Sequence, residues 1–204
     1  MNNPSPLLDE APASRPVVRL KPKAEARAIR HGFPWVYADE LVTDRRTQKM
    51  TPGTLAILED GERRAMGLVT VNTNSKIICR MLDGDPDAEI DQAWFEARIG
   101  RAQDMRARLY DAPFYRLIHA EADGMPGVVI DRFGDTAVVQ PNAAWADVLI
   151  EVLVAALVKV TGVTTVLKSA SGRARSLEGL DEVSGVLHGT SPEAAIAVPM
   201  NGAT

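Results

Sequence analysis

The stretch that decides the fold runs from Thr51 to Pro86: TPGTLAILEDGERRAMGLVTVNTNSKIICRMLDGDP. It opens on Thr51-Pro52-Gly53, where proline presets one turn dihedral and glycine accepts the other. Three strand-like runs follow: Thr54 to Leu58, Ala65 to Val71 and Lys76 to Leu82. Each ends in residues that bend the chain, namely Glu59-Asp60-Gly61-Glu62, Asn72-Thr73-Asn74 and Asp83-Gly84-Asp85-Pro86. Short strands at this spacing, with polar turns between them, predict a small β-barrel. Working back toward the N-terminus, Trp35 to Tyr37 is a further strand, and Pro34 blocks helix just before it. Lys23 to His31 reads as a helix, because Ala24, Ala26 and Ala28 are strong helix formers and Gly32 suits the stop. Val17 to Leu20 is the first strand. The predicted barrel domain spans residues 15–83, small for independent folding.

That block is basic within an acidic protein. Residues 15–83 hold 13 Lys and Arg against 8 Asp and Glu, whereas residues 84–204 hold 10 against 17. A charge balance that changes sign at one boundary predicts two domains with different partners. The block also contains Arg30-His31-Gly32-Phe33-Pro34-Trp35-Val36-Tyr37. Cations beside aromatic rings can hold a phosphate backbone and offer bases a stacking surface. Charge alone is explained equally well by a solvated face. The pI of about 5.4 excludes a protein that coats nucleic acid over its whole surface, and leaves a local basic face.

The lone Cys79 can form no internal disulfide, which fits a reducing cytoplasm. No run of about 18 apolar residues occurs, so no membrane helix is expected. Val148 to Val158 comes nearest and is interrupted by Glu151. The first fourteen residues hold three prolines, two acids and no basic residue, which reads as a disordered tail rather than a signal peptide.

Beyond the barrel, Asp85 to Glu89 is an acidic linker, and Asp91 caps a helix reaching about Tyr110. Phe95, Ile99, Ala102, Met105 and Leu109 form its apolar stripe. Residues 84–112 are thus linker and helix, and residues 113–204 form a mixed strand-helix-strand domain. Its predicted strands are Gly127 to Arg132, Thr136 to Gln140, Val163 to Leu167, Val183 to Leu187 and Ala195 to Met200. A helix opening at Asn142 or Trp145 and ending at Val160 is apolar nearly all round, so it should be largely buried. Ser169 to Gly179 reads as a polar loop carrying Arg173 and Arg175. The fold class is α+β.

Several chemistries have no sequence support. There is no phosphate loop, no G-x-G-x-x-G turn and no Cys/His cluster for zinc. His31, His119 and His188 are far apart and read as satisfied structural residues. Cys79, inside a strand-like run, reads as a small buried residue rather than a nucleophile. Glu121, Asp123 and Asp131 could meet at one mouth of a sheet, where paired carboxylates do acid/base work. Asp123-Gly124 and Pro126-Gly127 argue more strongly for turns leading into a hairpin.

Three stretches resemble one family. Gly32-Phe33-Pro34-Trp35-Val36-Tyr37 is similar to the N-terminal motif of the bacterial 23S ribosomal RNA cytosine-C5 methyltransferases. Tyr115-Arg116-Leu117-Ile118, Glu121-Ala122-Asp123-Gly124-Met125-Pro126-Gly127 and Asp131-Arg132-Phe133-Gly134-Asp135 together resemble the start of their central domain, more specifically. Leu167-Lys168-Ser169, Arg173, Arg175 and Glu178-Gly179-Leu180 resemble a later loop. Phe33 departs from the family's usual histidine. The resemblance implies an N-terminal PUA domain, a structured ribosomal RNA substrate, S-adenosylmethionine as the family's cofactor and a cytoplasmic location. It also implies a C-terminal Rossmann-like methyltransferase domain, holding cofactor and catalytic cysteine, which this chain lacks; alone, these residues are expected to be inactive. On this reading Lys21, Lys23, Arg27, Arg30, Arg45, Arg46 and Lys49 contact phosphates, and Trp35 either stacks on a base or packs into the core. Glu121, Asp123 and Asp131 line the edge of the completed active site. A homodimer is left open. The rival readings are a free-standing RNA-binding module and a protein-interaction adaptor.

Overall fold

A computed structural model describes residues 15–198. The first sheet contains β1 (Val17–Arg19), β2 (Trp35–Tyr37), β3 (Thr54–Glu59), β4 (Ala65–Val71) and β5 (Ile77–Asp83), in the order β1-β3-β4-β5-β2. The three central strands are those anticipated from Thr51 to Pro86, paired antiparallel in sequence order. Alternation selects their inner face: Ala56, Leu58, Val69, Val71 and Cys79 are buried, with Val18, Leu20, Ile29, Val36 and Leu41 closing over them. Gly67 marks a close approach. Its φ of 146° and the nearness of the Asp83 carbonyl leave no room for a methyl group, and the β4–β5 register shifts next to it.

The small barrel expected from the sequence takes the form of a half-barrel sheet. Strands β1 and β2 lie at opposite ends of the order, and an isolated bridge between Leu20 and Leu41 ties the chain after β1 to the chain after β2. Two short helices sit outside it, α1 (Ala26–Arg30) and α2 (Arg45–Gln48). The second was unforeseen. Asp44 starts it, its carboxylate accepting from the amides of Arg46 and Thr47 at 2.9 Å.

The second unit begins with α3 (Gln92–Ala107), capped by Asp91 as predicted. It is more than a linker. Trp94, Phe95, Ile99 and Ala102 enter the same core as Leu117, Ile118, Val128, Ile130, Val139, Trp145 and Leu157. The stripe fades at its end, where Met105 and Leu109 are exposed. The second sheet contains β6 (Phe114–His119), β7 (Val128–Phe133), β8 (Thr136–Pro141), β9 (Thr165–Lys168) and β10 (Gly185–His188), in the order β10-β9-β8-β7-β6. Helices α4 (Ala144–Val148) and α5 (Ile150–Thr161) make the crossover between the parallel strands β8 and β9. They replace the single helix expected, with the break at Leu149. Strand β6 was missed, and the supposed loop at 169–179 contains α6 (Arg173–Leu177). No strand occupies residues 195–198, and Pro199 and Met200 of that predicted strand lie outside the described residues.

Candidate nucleic-acid interface

The basic residues named from the sequence separate into two groups. Lys23, Arg27, Arg45, Arg46 and Lys49 are exposed on or beside α1 and α2, and among the described residues none has a carboxylate oxygen within 4.0 Å. Lys21 is exposed too, its ammonium donating to the Asp39 carbonyl at 2.7 Å. Arg30 is held by Asp60. Asp60 is itself buried and also takes the Arg64 guanidinium at 2.8 Å. Hydrogen bonds from the Arg64 amide first, then from the Arg64 side chain and the Glu62 amide, outweigh burial and pull its pKa down to about 2.

Trp35 lies on β2 opposite Arg80 of β5. Val36 turns into the core, so Phe33, Trp35 and Tyr37 share the other face. Their rings meet edge to face, with centroids 6.0 Å apart from Phe33 to Trp35 and 6.5 Å from Trp35 to Tyr37. The Trp35 indole N–H donates to Glu121 Oε1 at 2.8 Å, so part of its ring edge is committed to the second unit.

That bond belongs to a junction invisible in the sequence. Arg80 donates to Glu121 at 3.1 Å and to Glu178 at 2.9 Å. Glu178 also accepts from Ser75 Oγ at 2.7 Å and from Asn72 Nδ2 at 2.9 Å. On the far side, Asp83 takes Arg98 at 2.9 Å and the Trp94 indole at 3.0 Å, while the Arg98 guanidinium lies 3.4 Å from the Trp94 ring centre. Burial pushes the Asp83 carboxyl up, but the Asp85 amide, Trp94 and Arg98 together hold it below its ordinary value.

The three acidic residues do not converge. Glu121 answers Arg80, Asp123 answers Arg106 at 2.7 Å and Asp131 answers Arg116 at 2.9 Å. Only Glu121 lines cavities, one of ≈ 610 Å³ beside Phe33 and Arg30 and one of ≈ 350 Å³ beside Trp35, Lys76 and Arg80. Burial lifts the Cys79 thiol to about 12, so it is no nucleophile at neutral pH. His31, His119 and His188 are all exposed. Arg80 and Glu178 were missed as a pair because 98 residues separate them. The one signal that pointed there was a charged residue, Arg80, inside an apolar strand.

Residues 18–83 match the profile of a PUA-like domain. The half-barrel is a PUA-like domain. Curated relatives match most of the chain as well. It is 34% identical over 185 residues to a ribosomal RNA large subunit methyltransferase I of Aliivibrio fischeri, covering 88% of this chain and 46% of the relative. It is 32% identical over 188 residues to the protein of that name from Alteromonas mediterranea, covering 91% and 46%. The chain therefore spans about half the length of the curated relatives it matches. A candidate SAM-dependent methyltransferase from Streptococcus mutans shares the fold, with a TM-score of 0.74 at 16% identity over 92% of this chain and 46% of that one.

The described residues do not fit S-adenosylmethionine. In open α/β sheets such ligands bind beyond the C-terminal ends of parallel strands. Beyond β8 the buried Arg175 guanidinium fills that position, bonded to the Pro141 carbonyl, to Asp147 at 2.7 Å and to the Asp181 carbonyl at 2.7 Å. The turn that follows, Asn142-Ala143, has no glycine to let the backbone approach the ribose.

Proposed function

We propose that this chain is the RNA-recognition and spacer portion of a SAM-dependent 23S ribosomal RNA cytosine-C5 methyltransferase. The observation that carries this is the alignment of 88% of the chain with a ribosomal RNA large subunit methyltransferase I. The PUA-like domain holds structured RNA through Lys21, Lys23, Arg27, Arg45, Arg46 and Lys49, which are exposed. Arg30 contributes from its fixed position on Asp60. The second unit is the spacer, and its partner is the cofactor-binding domain. Glu121, which of the three acids named from the sequence is the one lining the cavities beside Phe33 and Trp35, is assigned to the edge of the completed site. Asp123 and Asp131 act indirectly, by tying β6 to α3 and β7 through their arginines. A ribosomal RNA substrate implies a cytoplasmic setting.

The test is a salt titration of this chain against a ribosomal RNA fragment and a duplex DNA of equal charge. Tighter RNA binding, with a log–log slope reflecting several neutralised phosphates at about 0.7 to 0.9 each, is expected. Equal affinity for both, or none for either, overturns the reading and returns the basic block to a solvated surface.

A further inference from the structure

The phosphate-binding candidates all lie on or near α1 and α2, yet the exposed aromatic side chains of the PUA-like domain lie elsewhere. Trp35 and Tyr37 sit on β2, the edge strand of the sheet, and Phe33 lies two residues before it. Phe33 is 41% exposed and Tyr37 38%, which is costly for large rings in water unless something covers them. Each of the three rings also borders its own hollow. Phe33 lines the ≈ 610 Å³ cavity with Arg30, Trp35 the ≈ 350 Å³ cavity with Lys76 and Arg80, and Tyr37 a third of ≈ 490 Å³ with Lys76. Lys76 is exposed and lies between the second and third hollows; among the described residues it has no ion-pair partner. Acids line the hollows too: Asp83 and Glu121 in the first, Glu121 and Glu178 in the second, Asp39 and Glu40 in the third. Most of these are tied down, Asp83 by Arg98 and both glutamates of the second hollow by Arg80.

We propose that the Phe33–Trp35–Tyr37 edge is a stacking track for single-stranded RNA, with one unpaired base entering the Trp35 cavity. This rests on the RNA-binding reading above and adds the form of RNA that is bound. A row of aromatic rings flanked by cations is how single strands are held, because every base has a π-face and only an unpaired base can offer it. The Trp35 hollow falls at the small end of the roughly 300–1,000 Å³ range of ligand pockets, which suits one base rather than a duplex. Its wall carries both kinds of hydrogen-bonding group. Glu121 can accept, and the Nε of Arg80 is a buried donor with no partner among the described residues. Lys76 supplies the charge for the adjoining phosphate.

The experiment measures binding of the intact chain to a single-stranded RNA oligonucleotide, to the same oligonucleotide with abasic sites, and to a closed RNA hairpin stem. Phe33→Ala and Tyr37→Ala remove exposed rings, so folding is retained and is checked by circular dichroism. Each is expected to weaken single-strand binding roughly 5- to 150-fold, the range for loss of one stacked base, with the salt slope unchanged. The stem is expected to bind the two variants and the parent alike, and the abasic strand to bind the parent as weakly as the variants. Trp35 fluorescence gives a second readout, since Trp94 and Trp145 are buried, and quenching by the intact strand alone is expected. Variants that bind the single strand as the parent does, while a steep salt slope persists, overturn the track and leave the RNA-binding reading standing. A parent that binds no RNA at low salt overturns both.

Discussion

The outer helices of the PUA-like domain and its junction with the second unit are built from the same residue types and do opposite things. On or beside α1 and α2, Lys23, Arg27, Arg45, Arg46 and Lys49 face water without carboxylate partners among the described residues. At the junction, Arg80 is only 12% exposed and answers both Glu121 and Glu178. A cation in water is already solvated and stays free to meet a phosphate. A cation out of water must be paired where it stands, so its charge serves the architecture. The difference teaches that a basic count along a sequence overstates a binding face by the cations that the fold has already claimed. Here Arg80 is such a cation, whereas Arg30 is paired with Asp60 but still reaches the surface.

The largest effect that tests this contrast is Glu178→Ala. It removes one acceptor shared by Arg80, Ser75 and Asn72 in a nearly dry setting. Breaking a buried pair from one side costs about 3–5 kcal/mol, read as a lower urea midpoint. Glu178→Gln keeps an acceptor for Ser75 and should lose less. A loss for Glu178→Ala no larger than that of a surface change would make the junction as loosely bound as the outer helices.

Next comes replacement of Lys23, Arg27, Arg45, Arg46 and Lys49 together by Gln. Unfolding should hardly move, since each is an exposed side chain and such changes lie within about 0.5 kcal/mol. RNA binding should weaken, and its salt slope should flatten by about 0.7 to 0.9 for each phosphate that is no longer neutralised. An unchanged slope would place the RNA on another face of the molecule.

A pH series sharpens the comparison within the PUA-like domain, because Asp60 belongs to the buried kind although its partners reach the surface. Its pKa of about 2 lies below the ordinary aspartate value near 3.9. The folded form thus favours the carboxylate. The stabilisation is complete above about pH 4 and is lost as pH falls through 2. Thermal melts between pH 5 and 2 should show this loss, and Asp60→Asn should remove it from the profile. Identical profiles would mean that Arg30 and Arg64 hold this turn without help from the charge.

How much of this was legible in the sequence follows from the range of the forces. The strands from Thr54 to Asp83 were readable because alternation and turn residues act locally, and so was the Asp91 cap. Strand β6, Phe114–His119, was not, since a polar turn separates it from β7 and its pairing partner supplies most of the signal. Helix α6 was hidden for a related reason. Arg173 and Arg175 look like loop charges until Pro141, Asp147 and Asp181 are brought around Arg175. The basic residues were legible as a group, but which of them are paired was not. Arg30 and Asp60 meet across 30 residues, and Trp35 and Glu121 across 86. No local pattern encodes those meetings.

The smallest effect belongs to Asp91, and it asks whether local and long-range forces are separable at the junction. Its carboxylate accepts from the Trp94 amide at 2.8 Å, closing the first turn of α3. Trp94 in turn reaches Asp83 of β5. If the cap only satisfies orphan amides, Asp91→Ala costs about 1 kcal/mol and Asp91→Ser, another good cap, restores nearly all of it. The helix itself stays, because Phe95 and Ile99 are fully buried beneath it. If the cap also aims the Trp94 indole at Asp83, the Ala variant should lose more in the parent than in an Asp83→Asn background. A double-mutant cycle on urea midpoints measures that excess directly. Additive losses would show that α3 is started by local chemistry and positioned by packing alone. Coupling would show that a cap legible in the sequence helps set the junction that was not.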